Sequence, residues 1–154
     1  MATPITESIA ENIKTAINLI TTANGFNQDL SAIRRRRLDF SDCLPEDLKV
    51  LIIQTEDELP EQEAVGANEW LQVYFLEAFV IDSDTATASI ETRMSQVRDD
   101  IRKKLTEDTT RGGYAIDTIL RAATPFDDGE GFTGIELEIA VHYRTQWNDP
   151  YTKI

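Results

Sequence analysis

One segment constrains the fold more than any other. From Gly134 the chain alternates strictly: Ile135, Leu137, Ile139, Val141 and Tyr143 fall on one face, and Glu136, Glu138, Ala140, His142 and Arg144 on the other. A period of two over this length specifies a strand with one buried and one wetter face, because a one-residue slip would turn the whole apolar set to solvent. The pattern stops at Trp147, and Pro150 lacks the N–H that a ladder needs, so the strand is expected to end there, before the Asp149-Pro150-Tyr151 tail.

A second long strand is read at Trp70 to Ile81. Leu71, Val73, Phe75, Phe79 and Ile81 line one face, interrupted by Glu77; Trp70, Tyr74, Leu76, Ala78 and Val80 line the other. Apolar residues on both faces imply cover on both. Val50 to Ile53 is a short continuous apolar run that suits a central strand. Tyr114 to Ala123 is a further strand, with Tyr114, Ile116, Thr118, Leu120 and Ala122 on one face, and it forms a hairpin with the last strand across the loop Pro125 to Gly131.

Two helices are expected. Thr3 and Pro4 supply an N-cap and a first helical residue, and Ile5, Ile9, Ile13, Ile17 and Ile20 then form one stripe. Asn24-Gly25 closes this helix with a left-handed cap. Asp82 to Thr85 offers caps for the second helix, whose stripe is Ile90, Met94, Val97, Ile101 and Leu105. Its late cations favour the C-terminal dipole, and Arg111-Gly112-Gly113 breaks the chain.

These elements give an α+β fold: a mostly antiparallel or mixed β-sheet with two helices on one face, in the order α-β-β-β-α-β-β. The expected bounds are helix 4–23, strands about 28–37, 48–55 and 69–81, helix 85–105 and a hairpin about 114–145, all in a single domain 1–154.

Composition then excludes some functions. The formal charge is −13, which argues against a general nucleic-acid binder and against adhesion to anionic membranes. No apolar run approaches the ~20 residues of a membrane span. The N-terminus lacks a signal-peptide pattern, and Cys43 is the single cysteine, so a reduced thiol in the cytosol is expected.

No catalytic, cofactor or metal set stands out. His142 is the only histidine and falls on the wetter face of its strand, where a surface or interface role suits it better than catalysis; nothing around Cys43 marks a nucleophile. Asp127, Asp128 and Glu130 could grip a divalent ion, but their spacing departs from the calcium-loop pattern and a solvated turn fits better. Trp70, Tyr143 and Trp147 read as core or strand-pairing residues rather than ligands.

Interface residues are more visible. Arg34, Arg35, Arg36 and Arg37 form a run that cannot sit in a dry sheet centre. It suits a charge-guarded edge strand, a docking strip for carboxylates of another subunit or, against the net charge, a nucleic-acid contact. The segment Glu56 to Glu69 is expected to be a solvated acidic loop, and its Glu56, Asp57, Glu58, Glu61 and Glu63 are the complementary candidates.

Taken in order, these pieces resemble the tail-terminator proteins (minor tail or tail completion proteins) of long-tailed bacteriophages. The resemblance runs over almost the whole chain. It is carried by the Ile-rich helix closing at Asn24-Gly25-Phe26, and by the second helix, Met94 to Leu105, leading to Asp108 and Gly112-Gly113. The closing strand Val141-His142-Tyr143-Arg144-Thr145 with Asp149-Pro150-Tyr151 completes it. The resemblance implies a homo-oligomeric ring, usually hexameric, that caps the tail tube, stops its polymerisation and joins it to the head connector. Its partners would be further copies of itself, the tail-tube protein and the head connector protein, with DNA passing through the lumen without specific binding. It would assemble in the host cytoplasm and reside in the virion tail. Competing readings are a head-completion or connector-adaptor protein, and a small acidic metal-dependent hydrolase.

Overall fold

The computed structural model describes residues 1–34, 36, 48–58, 66–81, 88–127 and 132–154. Helix α1 (Ile5–Asn18) is followed by a short 3-10 turn (Thr22–Asn24), β1 (Leu30–Ile33), β2 (Leu48–Glu58) and β3 (Ala67–Ile81). Then come α2 (Ile90–Glu107), β4 (Asp117–Asp127), β5 (Phe132–Gln146) and β6 (Asp149–Lys153). The α-β-β-β-α-β-β order expected from the sequence is present, with one more short strand at the end.

The strands form a single sheet in the order β1-β2-β3-β5-β4, with β6 also on β5. β1 pairs parallel with β2, and every other pairing is antiparallel, so the sheet is mixed. β3 and β5 form its spine, in continuous register from Ala67↔Gln146 to Ile81↔Phe132.

Both helices lie on one face. The Ile5, Ile9, Ile13 and Ile17 stripe of α1 and the Val97, Ile101 and Leu105 stripe of α2 join Val50 and Ile52 of β2 and Tyr74, Leu76, Ala78 and Val80 of β3. Ile135, Leu137, Ile139, Val141 and Tyr143 of β5 complete this core. Burial of this many apolar side chains is the main stabilising term, at ~1.5–3 kcal/mol for each large side chain removed from water. The buried Tyr74 hydroxyl inside it is partnered: its Oη donates to Thr6 O at 2.8 Å. Asp100 on α2 accepts from Asn27 N, Asn27 Nδ2 and Gln28 N at 2.9–3.0 Å, tying the approach to β1 onto the helix.

Element ends differ from expectation for identifiable reasons. Pro4 itself occupies the N-cap of α1, and no side chain caps that end, so Thr3 does not play the expected role. α1 stops at Asn18 rather than 23; Thr21 Oγ1 accepts from Asn24 N to cap the 3-10 turn, and Gly25 closes that turn at φ +85°. The cap of α2 is Ser89, whose Oγ accepts from Thr92 N; Asp82 to Thr85 lie outside the described residues.

β4 begins at Asp117, three residues later than Tyr114, and runs on through Pro125 to Asp127. A bulge shifts its register between Leu120 and Ala123, so Ala123 rather than Ala122 packs against the core. β6 is the other departure: after a turn at Trp147-Asn148 the chain pairs back on β5 through Asp149 and Lys153, with Pro150 inside the strand. Both prolines sit in outer strands, where a missing N–H is tolerated.

Candidate subunit interface

The second face of the sheet has no helix across it among the described residues. Alternation places Ile53 of β2, Leu71, Phe75, Glu77 and Phe79 of β3, Glu136, Glu138, His142 and Arg144 of β5, and Ile119 and Phe126 of β4 on it. Leu51, Val73 and Ala140 on the same face are buried, most of the others are half-buried, and Ile119 is 42% exposed. The expectation that β3 carries apolar residues on both faces holds; only one of those faces has a helix layer.

At one end of this face the aromatic rings organise the surface. Phe79, Gly134 and Phe126 lie side by side across β3, β5 and β4. The two rings meet edge-to-face at 5.4 Å between centroids. They close over Gly134, where a Cβ would stand 2.1 Å from Ala78 O and 2.6 Å from Phe126 Cζ. Glycine is needed here for close approach.

Beside the rings, Glu77 and Glu136 are directly opposed on β3 and β5. Together with Phe79, Thr124 and Phe126 they line a recess of about 340 Å³. Burial pushes the Glu77 carboxyl above its ordinary value, and the neighbouring Glu136 charge and their mutual hydrogen bond push it the same way. Two carboxyls in this arrangement resist ionising together, and a cation brought against them would relieve the repulsion.

The other end of the face is a charge-balanced cluster. Glu69 accepts from Arg144 Nε at 2.6 Å and lies 3.2 Å from His142 Nε2. The hydrogen bond from Arg144 holds the Glu69 carboxyl below its ordinary value. His142 is therefore placed on the wetter face as expected, engaged with a carboxylate.

Among the described residues, the arginine candidates Arg34 and Arg36 are engaged within the chain. β1 is an edge strand as predicted, but it ends at Ile33 before the arginines begin. Arg34 pairs with Glu7 and Glu11 of the same chain's α1, which stand beside it because α1 packs against β1. Arg36 is exposed and donates to Gln54 O at 3.1 Å. Arg35, Arg37, Cys43, Glu61, Glu63, Asp128 and Glu130 lie outside the described residues.

Glu56, Asp57 and Glu58 belong to the exposed end of β2 rather than to a loop. A register shift between Gln54 and Asp57 turns that end, and the buried Gln72 holds it by donating to Thr55 O and Glu56 O at 3.1 and 2.9 Å. Asp57 accepts from Tyr143 Oη at 2.9 Å. Partial burial of its carboxyl raises the Asp57 pKa, and the Tyr143 hydrogen bond opposes that rise.

Trp70 packs against the core and donates to Thr145 Oγ1, and Tyr143 is buried, as expected. Trp147 is 59% exposed at the β5–β6 turn and is not a core residue. Compared with protein-family models the sequence matches none, and it matches no curated protein. No helix among the described residues is long and apolar enough to cross a membrane.

Sequence reasoning missed the Glu77–Glu136 pair and the aromatic cover of Gly134. Both had a signal: Glu77 interrupts an apolar row, and Gly134 opens an alternating strand. Neither signal named its partner, because each pairing depends on strand register.

Proposed function

We propose that this chain is a structural subunit of a homo-oligomeric ring, a tail terminator that caps a bacteriophage tail tube, stops its polymerisation and joins it to the head connector. The observation that carries the reading is the one-sided sheet: two helices bury one face, while Ile53, Leu71, Phe75, Ile119 and Phe126 remain partly exposed on the other. Partly exposed apolar side chains interspersed with charged ones on an uncovered sheet face suit a protein contact. In a ring each subunit repeats the same contact with its neighbour until the rotation closes, and such a contact would cover this face.

The sequence resemblance supplies the biological setting, and the charge supports it. A strongly acidic subunit repels DNA phosphates, so a lumen lined by it would let DNA slide through without holding it. No turnover of small substrates is part of this reading.

The test is a tube-length assay. Purified chain is added at increasing ratios to polymerising tail-tube protein, and tube lengths are measured by electron microscopy. Termination predicts shorter tubes carrying a ring at one end. Binding to connector protein with no effect on tube growth would transfer the assignment to a connector adaptor.

A further inference from the structure

The chain closes one edge of its sheet and leaves the other open. β1 forms the first edge, and the end of α1 covers it: Leu30 N donates to Ile20 O at 3.0 Å, and Ala32 N donates to Asn18 Oδ1 at 2.8 Å. β4 forms the second edge and is 11 residues long. Among the described residues no strand pairs with its outer side, and no backbone hydrogen bond from a turn or loop reaches it. An uncovered edge is a row of backbone donors and acceptors that a further strand can take up. Pro125 and the bulge after Leu120 guard the far half of this edge against pairing. The near half, from Asp117, has neither device.

The side chains of that near half form a pattern. Thr118 and Leu120 turn to the helix face: Thr118 is buried with its Oγ1 donating to Thr109 O at 2.8 Å, and Leu120 packs against the core. Asp117, Ile119 and Arg121 alternate with them and are exposed. Asp117 Oδ1 accepts from Thr118 N within its own strand, and Arg121 stands 3.6 Å from Glu138. The order acid, apolar, base at alternate positions is self-complementary. Laid antiparallel on a copy of itself, with a two-fold axis through Ile119, the strand sets Ile119 against Ile119 and Asp117 against Arg121 at both ends. Laid parallel and in register, it would set like charges together.

We propose that the outer edge of β4, from Asp117 to Arg121, is a contact site for the same edge of a second copy, joined antiparallel so that two sheets become one. The backbone ladder supplies the attraction, the Ile119 pair covers apolar surface that is exposed in the single chain, and the two Asp117–Arg121 pairs fix the register. The Arg121 guanidinium carries enough N–H donors to keep Glu138 and to hold the second copy's carboxylate as well. This contact is isologous and joins copies in pairs, whereas a ring repeats a heterologous contact. The inference therefore goes beyond the ring assignment and does not depend on it.

Sedimentation velocity of the full chain over a concentration series tests it, with far-UV circular dichroism to confirm that each variant is folded. The set is the parent, Asp117→Arg, Arg121→Asp, the double exchange, and an equimolar mixture of the two single variants. The parent should associate in pairs. Each single variant sets like charges together at both ends, and its pairing Kd should rise ~10-fold or more. The double exchange restores the Asp–Arg pairs and should return Kd to within ~3-fold of the parent. The mixture should pair as well, because one copy then carries Arg at both positions and the other Asp. A parent that forms no pairs, single variants that pair as tightly as the parent, or a double exchange that stays apart would overturn the inference. The ring assignment fails separately. Pairs without rings in the parent would contradict the ring and leave the edge contact standing; rings whose mass none of these substitutions changes, with no pairing of copies, would do the reverse.

Discussion

The two faces of this sheet are made from the same strands, often from adjacent residues, yet they are different materials. On the helix side every inward position of β5 from Ile135 to Tyr143 is apolar or aromatic and buried. On the other side the same strand offers Glu136, Glu138, Ala140, His142 and Arg144, paired across to Glu77, Phe75, Val73, Leu71 and Glu69 in turn. The helix face is built to exclude water within one chain. The open face mixes half-exposed apolar groups with carboxylates, one of them, Glu77, held where ionisation is disfavoured. Stability therefore resides on the first face, and the proposed subunit contact on the second.

Substitutions on the two faces should separate in size and in kind. The largest loss is expected from Ile139→Ala, which opens a cavity at a fully buried position under the helices. Denaturant unfolding should show a loss of about 2–5 kcal/mol. Gly134→Ala comes next, since the new Cβ meets a backbone carbonyl and the Phe126 ring. Overpacking of this kind costs about 1–3 kcal/mol by the same measurement.

Glu77→Gln has the opposite sign. The folded carboxyl has a pKa raised above its ordinary value of 4.5. Its contribution to stability is therefore full below 4.5 and is lost as pH rises through the folded value. Above that value the Glu77 charge is a cost, and Glu77→Gln should then stabilise the monomer by about 0.2–1 kcal/mol, the scale of a directly opposed like-charge pair. The gain should vanish in acid, and a gain that does not depend on pH would show that the Glu136 charge is not its source. The smallest monomer effect is expected from Ile119→Ser on the exposed side of β4, within about 0.5 kcal/mol. If Ile119→Ser cost as much as Ile139→Ala, the distinction between the faces would fail.

The sequence disclosed the helix face far better than the open one, for a physical reason. A buried face forces a period on the chain, so the stripes of α1 and α2 and the alternation of β3 and β5 can be read from local spacing alone. The β4 bulge cannot, because an extra residue exists only relative to a partner strand, and it moved Ala122 out of the position that alternation assigned. Pro150 was a stop signal that an outer strand can ignore. The candidate interface was harder still. Arg34 looked available for another subunit, but α1 brings Glu7 and Glu11 beside it. Glu56 to Glu58 looked like a loop because acids are uncommon in strands, and the Gln72 clamp that holds them there is distant in sequence. Arg111 was legible only as part of a break before two glycines, with nothing to say that its side chain turns inward to donate to Leu105 O.

The most direct test of the central claim is mass by light scattering across a concentration series, with and without magnesium, for the parent chain and for Ile119→Asp. The account predicts a discrete ring mass, six chains, for the parent, and a shift to monomer when a charge is set on the open face while the fold is kept. A parent that assembles and an Ile119→Asp variant that assembles equally well would contradict the claim that the open face is where subunits meet.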